Sequence, residues 1–223
     1  AVLLLAPAHT LAAVFADSGA DAASITDTVE AFRAALGEPD NINALGPIAA
    51  GRREINWDAG IVPVDMPGDF FNVTVTRGAE FSTDAGSEFK VSNPINPADP
   101  GFPDNEFDSI NPTYPDQFAT FSPERLFTPV GTNVLDVNFF VSGSDTAATT
   151  NGFGAIFTDV DLPDSTALEF YDVEGTLIGS NFVPVASEGL SFYGETFDEG
   201  NLFSVRITSG NTPIGPDDDP DNG

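Results

Sequence analysis

Acidic side chains are the residues whose type and spacing best fit a chemical role in this chain. Asp159 and Asp161 are two residues apart, so in an extended strand both carboxylates leave the same face of a sheet. A bound Ca²⁺ takes about six to eight oxygen ligands, and we expect Asp58, which follows the run containing Trp57, to supply a further one at the rim of a sandwich. The sequence therefore offers Asp58, Asp159 and Asp161 as a calcium site, the only cofactor that it suggests. The alternative is a solvated acidic surface.

Two other arrangements of acids carry weaker signals. The tail Asp217–Asp221 has the composition of a calcium loop, but no Glu follows it, so the EF-hand pattern fails. Two carboxylates at a suitable separation can hydrolyse a glycoside, yet a chain with 35 Asp and Glu contains many such pairs by chance. We therefore predict no catalytic residues and no enzymatic activity.

Glycan chemistry is the second possibility that the sequence raises. Asn72-Val73-Thr74 is a usable N-glycosylation sequon, whereas Pro112 blocks Asn111-Pro112-Thr113. Thr149 and Thr150 end a Thr-rich stretch that we expect to be an exposed loop able to carry O-glycans. The single Trp, Trp57, is a candidate for stacking on a sugar. Its neighbours Arg52 and Arg53 are expected to pair with carboxylates.

Composition excludes several classes of function. The chain has 223 residues with seven Lys and Arg against 35 Asp and Glu, a net charge of -28. No basic surface is therefore available to bind the phosphates of nucleic acid or of anionic lipid. The chain has no Cys and one His, His9, so thiolate chemistry and Cys-based metal sites are excluded.

The first sixteen residues, AVLLLAPAHTLAAVFA, contain the apolar runs Val2–Ala6 and Leu11–Ala16, interrupted by Pro7 and His9, and carry no acidic side chain. They fit the apolar region of a secretory signal peptide that is cleaved after Val14-Phe15-Ala16, and they are too short to span a bilayer. If the segment persists, it must be buried, and an extended arm donated to the sheet of a neighbouring subunit would bury it. The residues expected at that subunit interface are Val2, Leu3, Leu4, Leu5, Leu11, Val14 and Phe15.

The elements that position these residues are one helix and many short strands. A single apolar stripe of Ile25, Val29, Phe32 and Leu36 predicts a helix over 24–36 that packs one face on a sheet. Ser24 is the expected N-cap, and Gly37 is expected to end the helix.

Twelve short β-type runs follow between Arg53 and Ile207, among them Phe70–Thr76, Ala79–Ser82 and Ala167–Tyr171, and Gly, Pro, Asn and Asp separate them. This pattern predicts an all-β sandwich or jelly roll. The segment Tyr171–Thr176 predicts a hairpin turn in which Gly175 supplies a positive φ. We expect residues 1–19 to be the arm, or a residual signal peptide, and 20–223 to form one sandwich domain.

Three strings carry a resemblance: Gly51–Asp58, Phe118–Gly131 and Gly152–Asp161. On these strings the chain resembles an uncharacterised family of secreted bacterial β-sandwich proteins over roughly residues 20–210, and its last third is similar to lectin-like jelly rolls. It also resembles, more distantly, protomers of glycosylated extracellular fibrils from freshwater microbes. The resemblance implies secretion and a non-enzymatic role. The chain departs from the family pattern after Asp217–Asp221, where related sandwiches continue into a last apolar strand.

Two functions from different classes follow. The first is a structural subunit of an extracellular bacterial fibre, a homopolymer in which residues 2–15 of one copy insert into the next. The alternative is a secreted monomeric carbohydrate-binding module from which residues 1–16 have been cleaved. Both are secreted proteins that neither bind nucleic acid nor insert into a membrane.

Overall fold

The computed structural model describes residues 13–83, 88–94, 104–197 and 200–216. Within them, every pairing between named strands is antiparallel. The elements are β1 (Ala13–Gly19), α1 (Ala22–Leu36), β2 (Asp65–Met66), α2 (Phe70–Val73), β3 (Ala79–Ser82), β4 (Glu88–Val91), β5 (Phe127–Val130), β6 (Val134–Phe139), β7 (Gly152–Val160), β8 (Ala167–Tyr171), β9 (Leu177–Phe182), β10 (Ala186–Thr196) and β11 (Ser204–Thr208). Two short 3₁₀ helices, Asn105–Phe107 and Tyr114–Asp116, lie between β4 and β5.

The strands form three sheets. The helix-backed sheet has the order β1-β10-β7, the central sheet has the order β3-β6-β11-β8-β9, and the small sheet has the order β2-β4-β5. Inward side chains of the helix-backed, central and small sheets share one hydrophobic core, and α1 forms a second core on the opposite face of the helix-backed sheet. The predicted all-β sandwich with one amphipathic helix is therefore confirmed.

Alternation along β10 explains the layering. Leu190 and Phe192 point to α1, whereas Tyr193 and Glu195 point to the central sheet. Gly194 lies on the helix side, where a Cβ atom would come within 3.0 Å of the Phe32 ring. A glycine at this position therefore lets α1 approach the sheet closely.

Helix α1 begins earlier than predicted. The N-cap is Asp21, whose carboxylate accepts hydrogen bonds from the Ser24 backbone N–H at 3.0 Å and from its hydroxyl at 2.8 Å. Ser24 is therefore in the first turn, and the expectation that it caps the helix is wrong because Asp21 is an equally good cap three residues earlier. The buried stripe of Ile25, Val29 and Phe32 is confirmed, and the chain leaves the helix at Gly37 with a φ of 98°.

Helix α2 replaces the strand predicted over Phe70–Thr76. Phe70 and Phe71 are both buried, and neighbouring residues of a strand point to opposite faces of the sheet. One helical turn lets both rings enter the same core, where they pack at 5.1 Å between centroids. The β-propensity of the run was therefore overridden by tertiary packing.

Candidate functional site

Strand β1 is part of this chain's own sandwich. Residues Ala13 to Gly19 pair with β10 over seven positions. The ring of Phe15 packs against Phe32 of α1 at 5.5 Å between centroids, and the carboxylate of Asp17 accepts a hydrogen bond from the Thr28 hydroxyl at 2.7 Å. Residues 13–19 are therefore not a free arm, and the predicted boundary between residues 19 and 20 is wrong.

This placement divides the residues that we assigned to the subunit interface. Phe15 packs against its own helix, so its assignment to an interface is wrong. Val14 points to the other face of the sheet and is 54% exposed. The remaining five, Val2, Leu3, Leu4, Leu5 and Leu11, lie outside the described residues.

The inner face of β1 continues the inner face of β10, but no strand among the described residues covers it. Val14 lies opposite Glu195 in register, and directly paired residues share one face of a sheet. Glu195 is only 6% exposed, whereas Val14 is 54% exposed and Ala16 is also exposed. The central sheet therefore covers β10 and stops before β1.

Strand β9 is the outermost strand of the central sheet on that side. Its residues Leu177, Ser180 and Phe182 are exposed, and within the described residues β8 is its only partner. Its backbone groups on the side away from β8 form the edge of the sheet. The uncovered face of β1 and this edge together form the candidate site, which we call the β9–β1 groove.

A buried carboxylate connects the two sheets beside this groove. Glu195 accepts hydrogen bonds from the Asn181 amide of β9 and from the Tyr193 hydroxyl, each at 3.0 Å. Burial, with the Glu195 carboxylate as a second cause, raises the pKa of Tyr193, so this phenol stays protonated as a donor. Sequence reasoning missed Glu195, although its position two residues after Tyr193, on the same face of a strand, was an available signal.

The predicted calcium ligands do not form one site. The Asp58 carboxylate accepts a hydrogen bond from the Arg125 backbone N–H at 3.1 Å, and the guanidinium of buried Arg125 donates to the carbonyls of Ser92 and Val62. Among the described residues, no three acids or other metal-ligating side chains are grouped to hold an ion. The structure thus does not bring Asp58 to the Asp159–Asp161 pair, and calcium binding by that pair stays a prediction.

Asp159 has a separate electrostatic role at the end of β7. Its carboxylate accepts the backbone N–H of Glu188 at 2.8 Å and so attaches β7 to the bulge at the start of β10. Burial, with Asp161 and Glu188 as nearby negative charges, raises the pKa of Asp159 to about 6. This carboxyl group therefore changes protonation state within a mildly acidic pH range.

The glycosylation sites that we predicted differ in access. Asn72 is fully buried, and its amide donates to Glu80 and to the Ser144 carbonyl while its oxygen accepts from the Gly143 N–H. The folded chain has no room for a glycan on this nitrogen, so the prediction at Asn72 is wrong. Thr149 is exposed and Thr150 is half-buried, and glycans at these two residues stay a prediction.

The sugar-stacking alternative for Trp57 is not supported. Its ring stacks on Phe127 with centroids 4.4 Å apart and an interplanar angle of 13°, and it also contacts Phe71 and Phe81. The indole therefore belongs to an aromatic cluster of the core. Of its neighbours, Arg52 pairs with Glu38 and Glu54 as expected, whereas Arg53 donates to backbone carbonyls instead.

Comparison with known proteins found no similar protein from which a function could be inferred. No family model, curated protein or solved structure matches this chain. In the parts of the chain that the structure describes, no helix has the length and apolar character needed to cross a bilayer.

Proposed function

We propose that this protein is a structural subunit of an extracellular bacterial fibre, in which the apolar N-terminal segment of one subunit inserts as a strand into the next. The observation that supports this most directly is the position of β1. Residues 1–12, which include the apolar run Val2–Ala6, directly precede β1, and β1 is an outer strand of its sheet. The segment is therefore joined to the rest of the chain at an edge of the sandwich.

Donation to a neighbour suits the chemistry of this segment. Each large apolar side chain transferred from water to a protein interior contributes about 1.5–3 kcal/mol, and an added strand also forms backbone hydrogen bonds with an open edge. A contact between an arm and a different surface is heterologous, so it propagates into a filament unless it closes into a ring. Because residues 1–12 carry no acid, insertion adds little repulsion between chains of net charge -28.

The position of β1 shortens the arm. Residues 13–15 are held in the subunit's own sheet, so the donated part is 1–12 instead of the expected 2–15. Twelve extended residues reach about 40 Å, which is enough to connect two subunits and to pair with a strand. Secretion, glycans on Thr149 or Thr150 and bound calcium stay expectations attached to this proposal.

The test compares the full chain with an arm variant, Leu3→Ser, Leu4→Ser and Leu5→Ser. We expect the full chain to form polymers visible by electron microscopy and the arm variant to elute as a folded monomer in size-exclusion chromatography. The matched control is Ile42→Ser with Leu45→Ser, because these apolar side chains are also exposed but lie in a loop. The control should still polymerise.

Sequencing of the native N-terminus separates this proposal from the carbohydrate-binding module. Cleavage after Ala16 would remove residues 13–16 from β1 and the Phe15 ring from the α1 core. We therefore expect the native protein to retain Phe15. A mature protein that begins near Asp17, or a full chain that stays monomeric, would contradict the fibre proposal.

A further inference from the structure

The two facing sheets end at different positions. The ring of Phe139 in β6 lies against Phe153 of β7, and the ring of Phe170 in β8 lies against Tyr193 of β10. The two sheets therefore run in the same order across the core: β6 faces β7 and β8 faces β10, so β9 and β1 lie at the same side of the sandwich.

The last strands do not coincide. Asn181 of β9 lies over Glu195 of β10 at hydrogen-bond distance, and Val14 of β1 is the next residue beyond Glu195 on the same face. Neighbouring strands are about 4.8 Å apart in any sheet. A strand added to the free edge of β9 would therefore lie over Val14 and Ala16, where the structure describes no covering strand.

The edge that such a strand would meet has no device against association. Sheet edges are commonly protected by charged residues or by proline, and the other edge strands contain them: Asp17, Asp65, Glu80, Pro129 and Asp159. β9 contains neither. Moreover, the chain has no charged residue from 176 to 187, so this is a part of the acidic surface where a second copy meets little repulsion.

We propose that the β9–β1 groove is the acceptor for the N-terminal segment of a second copy of this chain. This inference rests on the proposed function and names its acceptor surface. The donated strand pairs with the free edge of β9 and covers Val14 and Ala16. At this end the central sheet stops at β9, before it reaches β1, and the donated strand fills that position.

The sequence of the segment fits this position on both faces. Successive side chains of a strand point to opposite faces. A strand that meets apolar side chains on both of its faces therefore needs apolar residues at consecutive positions. Here one face contacts Val14, and the other lies beside the exposed Leu177 and Phe182. The uninterrupted apolar run Val2–Ala6 meets this need.

Disulfide trapping tests the location directly, because the chain has no cysteine of its own. A full chain with Leu4→Cys and Ser180→Cys should give a ladder of covalent multimers on non-reducing gels after mild oxidation. The matched control pairs Leu4→Cys with Ser82→Cys, an exposed serine on β3 at the opposite edge of the same sheet, and should give no ladder. A ladder of equal strength in the control, or no cross-link in either chain, would overturn the proposal. So would a cross-linked monomer, which would show that each copy fills its own groove.

Mixing two variants separates failure of the groove from failure of the fibre. The acceptor variant is Leu177→Asp with Phe182→Asp, and its matched control is Ile61→Asp with Val73→Asp at exposed positions elsewhere. We expect the acceptor variant and the arm variant each to be monomeric alone and to form a 1:1 heterodimer when mixed. If the acceptor variant polymerises like its control while the arm variant does not, the groove is wrong and strand donation stands. A monomeric full chain would overturn both.

Discussion

The two ends of the central sheet differ in how the chain finishes them. At the β3 end, the Phe81 backbone N–H donates to the Gly68 carbonyl at 2.8 Å, and the Phe81 side chain is surrounded by aromatic rings of Trp57, Phe71, Phe89 and Phe127. At the β9 end, no described backbone pairs with the free edge. Phe182 there is 54% exposed.

We call the β3 edge the closed end of the central sheet and the β9 edge its open end. Because both ends belong to one sheet, the fold class alone does not account for the difference between them. At the β3 edge this sheet is bounded by a backbone hydrogen bond from Phe81 to Gly68 and by aromatic packing around the Phe81 ring, which includes Phe89 of the small sheet. The other edge is β9, a strand without charged residues. The hydrogen bond from the Asn181 amide to Glu195, which we call the polar tie, links β9 to β10 and leaves the free edge of β9 uncovered by described residues. A strand edge that has no partner among the described residues is suited to accept an added strand.

The largest effect is expected from removing the ring at the centre of the closed end. Phe81→Ala should lower the free energy of unfolding by about 3–5 kcal/mol, because it leaves a cavity among four aromatic rings. Chemical denaturation followed by fluorescence of Trp57 measures it. Phe182→Ala is the matched control and should be nearly neutral, and equal losses in both variants would contradict the comparison.

A smaller effect is expected at the polar tie of the open end. Asn181→Leu removes one of the two donors to Glu195 and should cost about 1–3 kcal/mol, because a buried acceptor loses a partner. Asn181→Asp is a harsher test, since it places a second carboxylate beside the first. If Asn181→Leu is as stable as the parent chain in urea, β9 is held by packing alone.

Protonation of Asp159 should stabilise the folded chain, because it removes a partly buried negative charge beside Asp161 and Glu188, even though it weakens the hydrogen bond from the Glu188 N–H. Because the pKa of this carboxyl is raised to about 6 in the folded state, the folded chain binds its proton more tightly than the unfolded chain does. Stability from this group is therefore lost as pH rises through about 6 and is gained as pH falls toward the ordinary value for Asp.

Thermal melting between about pH 7 and pH 5 checks this sign. The measurement needs high salt, because lower pH also reduces the general repulsion of an acidic chain. We expect the melting temperature to rise as the pH falls, and Asp159→Asn to show a weaker rise than the parent. Parallel curves for the two proteins would show that Asp159 does not titrate in this range.

The smallest effect on stability is expected where the effect on assembly is largest. Phe182→Ser should change the free energy of unfolding by less than about 0.5 kcal/mol, as is usual for exposed positions. Paired measurements of unfolding and of polymer yield test this separation. A strong loss of stability would show that Phe182 belongs to the core of the subunit and is not part of an acceptor surface.

Local patterns were enough to predict much of the fold. The apolar spacing of Ile25, Val29 and Phe32 identified α1, and alternation with turn residues identified β3 and β8 with the bounds that the structure shows. The hairpin between β8 and β9 was also expected, and Gly175 has the positive φ of 79° that its turn requires. These features depend on residues close together in the chain, so a sequence window contains their cause.

The candidate site could not be predicted in the same way. That Phe15 packs against α1 while Val14 is 54% exposed depends on β1 pairing with a strand about 180 residues away, and no local pattern encodes that pairing. Likewise, the burial of Asn72 within a sequon and the stacking of Trp57 on Phe127 depend on which loops meet them. Helix α1 with its apolar face, many of the strands and the acidic charge could be predicted from the sequence, whereas α2 and the pairing of β1 could not. Which edge of the central sheet is closed and which is open depends on tertiary contacts, because side chains and strands distant in the chain compete for the same positions in the core.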